Sequence, residues 1–196
     1  LSLYLVPRTH SSGKKNGVHV TRLEEKLGIH GSPTAAIHFD HAEGFLVGKQ
    51  GEGFKAMLSL MNNARLGVAA QGIGIAEASL RVALQYARDR VQFGVPIADQ
   101  PLMKDRLARM TLELEGSRAL LYRACALVDQ NHAISKALKR ANDGGTEFSA
   151  GERVEMEALS ERNATRIRLL TPLAKYMGTE AADSISRDAI QIHGGL

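Results

Sequence analysis

Residues 101–128 read PLMKDRLARMTLELEGSRALLYRACALV. Within them Met103, Leu107, Met110, Leu114, Ser117, Leu121, Ala124 and Val128 recur at alternating steps of four and three. That spacing keeps one face of a 3.6-residue helix apolar over about seven turns, the pattern of a bundle seam. Pro101 suits the first helical position, where its missing N–H costs no hydrogen bond. Cys125 lies beside the seam and reads as a small core residue, since no motif marks it as a nucleophile.

Outward from this helix, residues 54–88 predict a second one rich in small side chains, with Gly67, Gly72 and Gly74 inside it. Glycine weakens a helix interior, so it is tolerated where another backbone or a ligand comes close. Asp89–Gln100 (DRVQFGVPIADQ) reads as a loop. Asp129–Gly151, with Asn142-Asp143-Gly144-Gly145, reads as a helix end plus an exposed insertion. A further helix is predicted from Arg153 to Met177, apolar at Leu159, Ile167, Leu170, Leu173 and Met177 and kinked at Pro172. Gly178 then separates a last helix, Thr179–Ile192. Residues 1–48 alternate instead with period two, at Leu1/Leu3/Leu5, Val18/Val20 and Ile37/Phe39, before Gly44–Val47. The fold class is therefore α+β and mostly α: a partial antiparallel β domain over 1–50, then an up-and-down four-helix bundle over 51–196.

The 196 residues carry 25 Lys and Arg against 21 Asp and Glu, for a net charge of +4. The basic residues are mixed with acids throughout, whereas a nucleic-acid surface needs clustered cations that release counterions together. The one dense basic spot, Lys136, Lys139 and Arg140, has no aromatic neighbour for stacking bases. No apolar run approaches the roughly 18–20 residues of a membrane helix. The start, LSLYLVPR, does not read as a signal peptide, and a lone cysteine fits a reducing cytoplasm. His38, Asp40 and His41 are close in sequence, but alternation sends the histidines to opposite faces and no second cluster complements them, so no metal site is expected. Gly48-Lys49-Gln50-Gly51-Glu52-Gly53 precedes a helix, yet fits neither the Walker pattern nor the dinucleotide fingerprint; it reads as a strand-to-helix turn.

Four strings in order carry more: Lys26-Leu27-Gly28-Ile29-His30-Gly31-Ser32-Pro33-Thr34, then Gly48-x-x-Gly51-x-Gly53-Phe54, then Arg90-x-Gln92-Phe93-Gly94, then Gln191-Ile192-His193-Gly194-Gly195. Together they resemble the acyl-CoA dehydrogenase family, from midway through its central β domain into its C-terminal helical domain. The resemblance implies FAD-dependent α,β-dehydrogenation of an acyl-CoA to a trans-2-enoyl-CoA in fatty acid β-oxidation. Electrons would leave through an electron-transfer flavoprotein, and the assembly would be a homodimer or homotetramer. It places Arg90, Gln92 and Phe93 on the pyrophosphate and adenosine side of FAD. It places Gln191, Gly194 and Gly195 on the FAD of a neighbouring subunit, and Arg65 near the thioester end of the active site.

The departures matter as well. In most members the catalytic glutamate follows the Gly-Gly turn, beyond Leu196 here; in a minority it precedes the arginine matched by Arg65, where this chain has Ala64. No base is therefore assigned, and the chain reads as a fragment that is inactive alone. Pro101, where the family often has glutamine, and the long 131–151 insertion resemble the larger bacterial branch. An oxidase passing electrons to oxygen is not separated by these residues. Two readings of other classes stay open: a catalytically silent relative serving as a helical scaffold, motivated by Ala64, and a helical nucleic-acid or partner-binding module, motivated by the basic charge.

Overall fold

The computed structural model describes residues 1–145 and 147–194. The chain divides into two compact units, Leu1–Leu60 and Met61–Leu196.

The first unit holds the four strands that the alternation predicts. β1 (Leu3–Leu5) pairs antiparallel with β4 (Phe45–Val47), Leu3 opposite Val47. β2 (Val18–Leu23) pairs antiparallel with β3 (Ala35–Phe39), with a register shift between Val20 and Arg22. Two-stranded pairs are marginal in water, and here Leu5, Val20, Phe39 and Phe45 are all exposed. What ties the pieces together is a buried polar residue. The Asn16 side chain donates to the carbonyls of Pro7 and Glu43, both at 2.8 Å, and accepts from the N–H groups of Gly17 and Glu43 at 2.9 and 3.0 Å. All four hydrogen bonds an amide side chain usually makes are used, so its burial leaves nothing unsatisfied.

The second unit is built on three long helices. α1 (Gly53–Asp89) begins in the first unit and continues into the second. The short strands β5 (Val91–Gln92) and β6 (Val95–Pro96) follow, then a 3-10 turn over Ile97–Asp99. α2 (Pro101–Asn142) and α3 (Ala150–His193) complete it. Pairs such as Arg106–Asp188, Glu113–Ser184 and Asn131–Ser160 show α2 and α3 antiparallel. Ser79–Ser186 and Tyr86–His193 show α1 and α3 parallel. Buried residues repeat at coiled-coil spacing on each: Ala69, Ile73, Ala76, Leu80, Ala83 and Ala87 on α1; Leu107, Met110, Leu114, Ser117, Leu121, Ala124 and Leu127 on α2; Thr171, Ala174, Gly178, Ala181 and Ile185 on α3.

The mostly helical α+β class stands, with corrections within it. Among the described residues the helices number three, not four, because Gly178 does not break α3. A Cβ on Gly72 would lie 2.3 Å from the Gly178 carbonyl oxygen, and one on Gly178 would lie 2.8 Å from that of Ala69. Both glycines serve helix-to-helix contact. The helix also continues through Pro172, which has no N–H to donate to the turn before it. The helix end read at Asp129 lies further on: α2 runs to Asn142, its half-buried Ile134 and Leu138 continuing the inner face among polar neighbours. Lys139 and Arg140 fall in the last turn of α2, where cations favour the helix dipole. On the α2 seam Leu127 is buried in place of Val128. On α3 the predicted apolar positions are half-buried or, for Leu173, exposed, while Asn163, Thr171 and Ala174 face inward.

α3 starts on a capping box: the Ser149 hydroxyl accepts from Glu152 N–H, and the Glu152 carboxylate accepts from Ser149 N–H at 2.9 Å. The Ser149 hydroxyl also donates to the Glu152 carboxylate at 2.7 Å, and that bond first, with the Ser149 backbone N–H second, holds the Glu152 carboxyl below its ordinary range.

Two glycine substitutions on α1 should move stability in opposite directions. Gly72→Ala gains helix propensity of about 1 kcal/mol but drives a methyl into backbone, an overpacking cost of about 1–3 kcal/mol. A Cβ on Gly74 would meet nothing within 4 Å, so Gly74→Ala should stabilise by up to about 1 kcal/mol. Thermal melts of the two variants check this; equal stability would contradict the contact.

Candidate functional site

The segment read as a loop is in fact a hairpin. Val91 pairs with Pro96 and Gln92 with Val95, leaving Phe93-Gly94 as a two-residue turn. Both turn residues have positive φ, +56° at Phe93 and +82° at Gly94, as a type I′ turn requires. Glycine takes this conformation freely, but a bulky side chain does so under strain. The Phe93 ring is 92% exposed, so its own packing does not offset that strain. The hairpin is moored at its base, where Arg90 N–H donates to the Tyr86 carbonyl at 2.9 Å and Ile97 N–H to the Arg90 carbonyl at 2.8 Å.

The last turn of α3 lies at the same end of the bundle. Its C-cap is Gly194, at φ +70°, whose N–H donates to the carbonyls of Ile190 and Gln191. Tyr86 and His193 stack with ring centroids 4.5 Å apart, joining the end of α1 to the end of α3. Arg106 Nη1 and Asp188 Oδ1, 2.9 Å apart, join α3 to the start of α2. Two grooves flank this turn. One, of about 460 Å³, is lined by Met103, Arg106, Arg109, Asp188 and Gln191. The other, of about 520 Å³, is largely apolar and lined by Ser79, Val82, Ile190, His193 and Gly194.

The structure thus gathers Arg90, Gln92, Phe93, Gln191 and Gly194 at one end of the bundle. Gly195 lies outside the described residues. Arg65 is not among them: it sits 25 residues back along α1, a separation of roughly 37 Å at 1.5 Å per residue. There its Nη1 donates to Asn62 Oδ1 at 2.9 Å. Ala64 offers a methyl group at the adjacent position. Sequence reasoning missed Tyr86, Arg106 and Asp188 as parts of this end, because the pairings that join them span 82 or more positions. His193 was visible within the last string, but nothing local named its partner.

The donors here suit a nucleotide diphosphate. Arg90 is exposed and pairs with no carboxylate among the described residues, leaving its forked N–H donors for phosphate. Gln92 and Gln191 are exposed amides, and Phe93 offers an aromatic face. Elsewhere, no group of three or more His, Cys, Asp or Glu among the described residues is placed to hold a metal ion, and no helix is long and apolar enough to cross a membrane. Cys125 is half-buried; burial first, and the Asp129 charge second, push its thiol pKa up, against a nucleophile's need.

Comparison with known proteins fits this geometry. The family model described as acyl-CoA dehydrogenase, C-terminal domain, matches residues 51–148. The 3-methylmercaptopropionyl-CoA dehydrogenase of Ruegeria pomeroyi is 34% identical across all of this chain and 32% of its own length. An acyl-CoA dehydrogenase of Bacillus subtilis is 35% identical over 91% of this chain and 39% of its own. A crystal structure of an acyl-CoA dehydrogenase from Bacillus anthracis in complex with FAD superposes with a TM-score of 0.73 at 25% identity, covering 99% of this chain and 30% of that one. The chain spans about a third of the length of the curated relatives it matches. It belongs to the acyl-CoA dehydrogenase family.

Replacing Phe93 by asparagine, which tolerates the left-handed region, should raise stability by about 0.5–1 kcal/mol. A melt showing a loss instead would mean that the ring stabilises the hairpin. Cys125 should react with a disulfide reagent more slowly than a free thiol at pH 8, its rate still climbing above the ordinary thiol pKa. The sign for stability follows: the folded thiol stays protonated where the unfolded one ionises. Stability should therefore fall as pH rises from the ordinary value through the raised one, and Cys125→Ala should remove that part of the pH dependence.

Proposed function

We propose that the protein carrying this chain is a FAD-dependent dehydrogenase that converts an acyl-CoA thioester to its trans-2-enoyl-CoA, as in fatty acid β-oxidation. The observation that carries the reading is the convergence of the Arg90–Phe93 hairpin and the Gln191–Gly194 turn at one bundle end, which gathers there an exposed guanidinium without a carboxylate partner among the described residues, two exposed amides and an exposed aromatic ring. In this reading Arg90 binds the pyrophosphate, while Gln92 and Phe93 meet the adenosine side. Gln191 contributes its side-chain amide, and Gly194, with no side chain, lets FAD come close to the helix end, the role the family reading also gives Gly195. Bound FAD would supply the two-electron acceptor for the substrate's β hydrogen. Residues 1–50 belong to the central β domain and 51–196 to the C-terminal helical domain.

Arg65 takes the substrate side, where Asn62 occupies one of its five N–H donors and the others remain for an acyl-CoA oxygen. Its distance from Arg90 is too great for both side chains to meet one reacting pair of molecules. That supports a homodimer or homotetramer in which sites are completed by different subunits. Ala64 cannot take a proton, so that position supplies no base. An electron-transfer flavoprotein would receive the electrons in the cytoplasm. Ala64 equally favours a second reading, a silent scaffold of the same fold.

The full-length protein should purify with a flavin spectrum and reduce an artificial electron acceptor when given acyl-CoA. Arg90→Ala should weaken FAD binding about 10–100-fold, the worth of a charge-assisted hydrogen bond. A protein that binds FAD but turns over no acyl-CoA of any chain length would favour the scaffold. A protein that binds no FAD would overturn the reading.

A further inference from the structure

Two halves of the proposed FAD-binding end come from distant parts of the chain, and one contact joins them directly. Tyr86 is the residue whose carbonyl accepts the Arg90 N–H, at 2.9 Å. His193 immediately precedes Gly194 and follows Gln191 by two positions. The two rings stack with centroids 4.5 Å apart and planes 29° from parallel, and both are half-buried. The His193 ring is itself held, because Nδ1 donates to the Ala189 carbonyl at 2.7 Å. Its χ angles are therefore set by its own helix before Tyr86 is met. On the opposite side of α3 the Arg106–Asp188 pair at 2.9 Å restrains rotation of the same turn about the helix axis. Both of those side chains are more than a third exposed, at 39% and 37%, which makes the pair a restraint of orientation more than a source of stability.

From this geometry we infer that Tyr86 and His193 are positioning residues: their stack sets the register between the Arg90–Phe93 hairpin and the Gln191–Gly194 turn. They act on FAD through Arg90 and Gly194 and do not touch it. The inference rests on the reading that FAD binds at this end. A ring stack is suited to the task, because two flat faces oppose tilting at an end of the bundle where frayed helix termini would otherwise move independently. Ligand groups must be held to a fraction of an ångström for their contacts to count together, so loosening the register should weaken binding while each contact residue is still present.

The test uses the full-length protein, with FAD affinity read from quenching of flavin fluorescence and Tm measured on the flavin-free form. Tyr86→Ala and His193→Ala should each weaken FAD binding about tenfold. His193→Phe keeps a flat ring against Tyr86 and should recover affinity to within about threefold of the parent, a rescue that a general packing role would not single out. Ile73→Val, a core truncation in mid-bundle, should lower Tm by a few degrees and leave FAD affinity unchanged. Arg90→Ala distinguishes the two levels of argument. If it weakens FAD binding while Tyr86→Ala and His193→Ala do not, the positioning role is wrong and the FAD reading stands. If Arg90→Ala has no effect, the FAD reading fails and takes the positioning role with it. Loss of affinity in Ile73→Val equal to that in His193→Ala would reduce the stack to ordinary stability and also overturn the inference.

Discussion

The backbone contact between Gly72 on α1 and Gly178 on α3 governs the arrangement of the second unit. With no Cβ on either side, the two helices meet backbone to backbone, and any side chain there would intrude on a carbonyl oxygen. From that point the two parallel helices stay together in steps of about two turns. Ser79 meets Ser186 hydroxyl to hydroxyl at 3.2 Å, and Tyr86 then meets His193 ring to ring. The steps are seven or eight residues on each helix, so the contact in mid-bundle brings Tyr86 opposite His193, and their stack then holds the end where the candidate site lies. Alanines at 69, 76, 83 and 87 on α1, and at 174, 181 and 189 on α3, keep the helices near enough for this register to persist.

The two units achieve order by different means. The helical unit buries a continuous apolar seam, which leaves exposed residues free for chemistry, as the exposed Arg90 and the strained Phe93 illustrate. The β unit exposes its apolar side chains and is organised by the four hydrogen bonds of Asn16, which link residues 7, 17 and 43. A buried amide with every donor and acceptor occupied specifies one arrangement, because any displacement strands a polar group away from water.

Legibility in the sequence followed the size and regularity of the signal. The α2 seam was readable because large apolar residues mark every turn of it. Much of the inner face of α3 was not, since polar or small residues at Asn163, Thr171, Ala174, Gly178 and Ala181 are buried there ahead of Ile185, Ala189 and Ile192, and the larger Leu173 and Tyr176 point outward. At Gly178 the backbone of α1 comes too close for any side chain. The polar stretch 129–142 resembled a helix end running into an exposed insertion, yet packing against α3, including the Asn131–Ser160 hydrogen bond, accompanies a helix that runs on to Asn142. Phe93-Gly94 hid a hairpin because a type I′ turn is announced by Asn-Gly or Asp-Gly, and phenylalanine stands in for either only at a conformational cost.

By itself the sequence determined the class of fold, the places of the first four strands, the existence of the long helices and, through four ordered strings, the family resemblance. Those signals are local: periodicity, glycine placement and short motifs act over a turn or two of chain. Only the tertiary structure decided that Gly178 joins helices and does not end one, and that Arg65 stands far from Arg90. It also brought Tyr86 and Arg106 to the last turn of α3. The reason is physical. Whether a glycine breaks a helix or seats another depends on the free energy of the contact it permits, and that contact is made by residues about a hundred positions away.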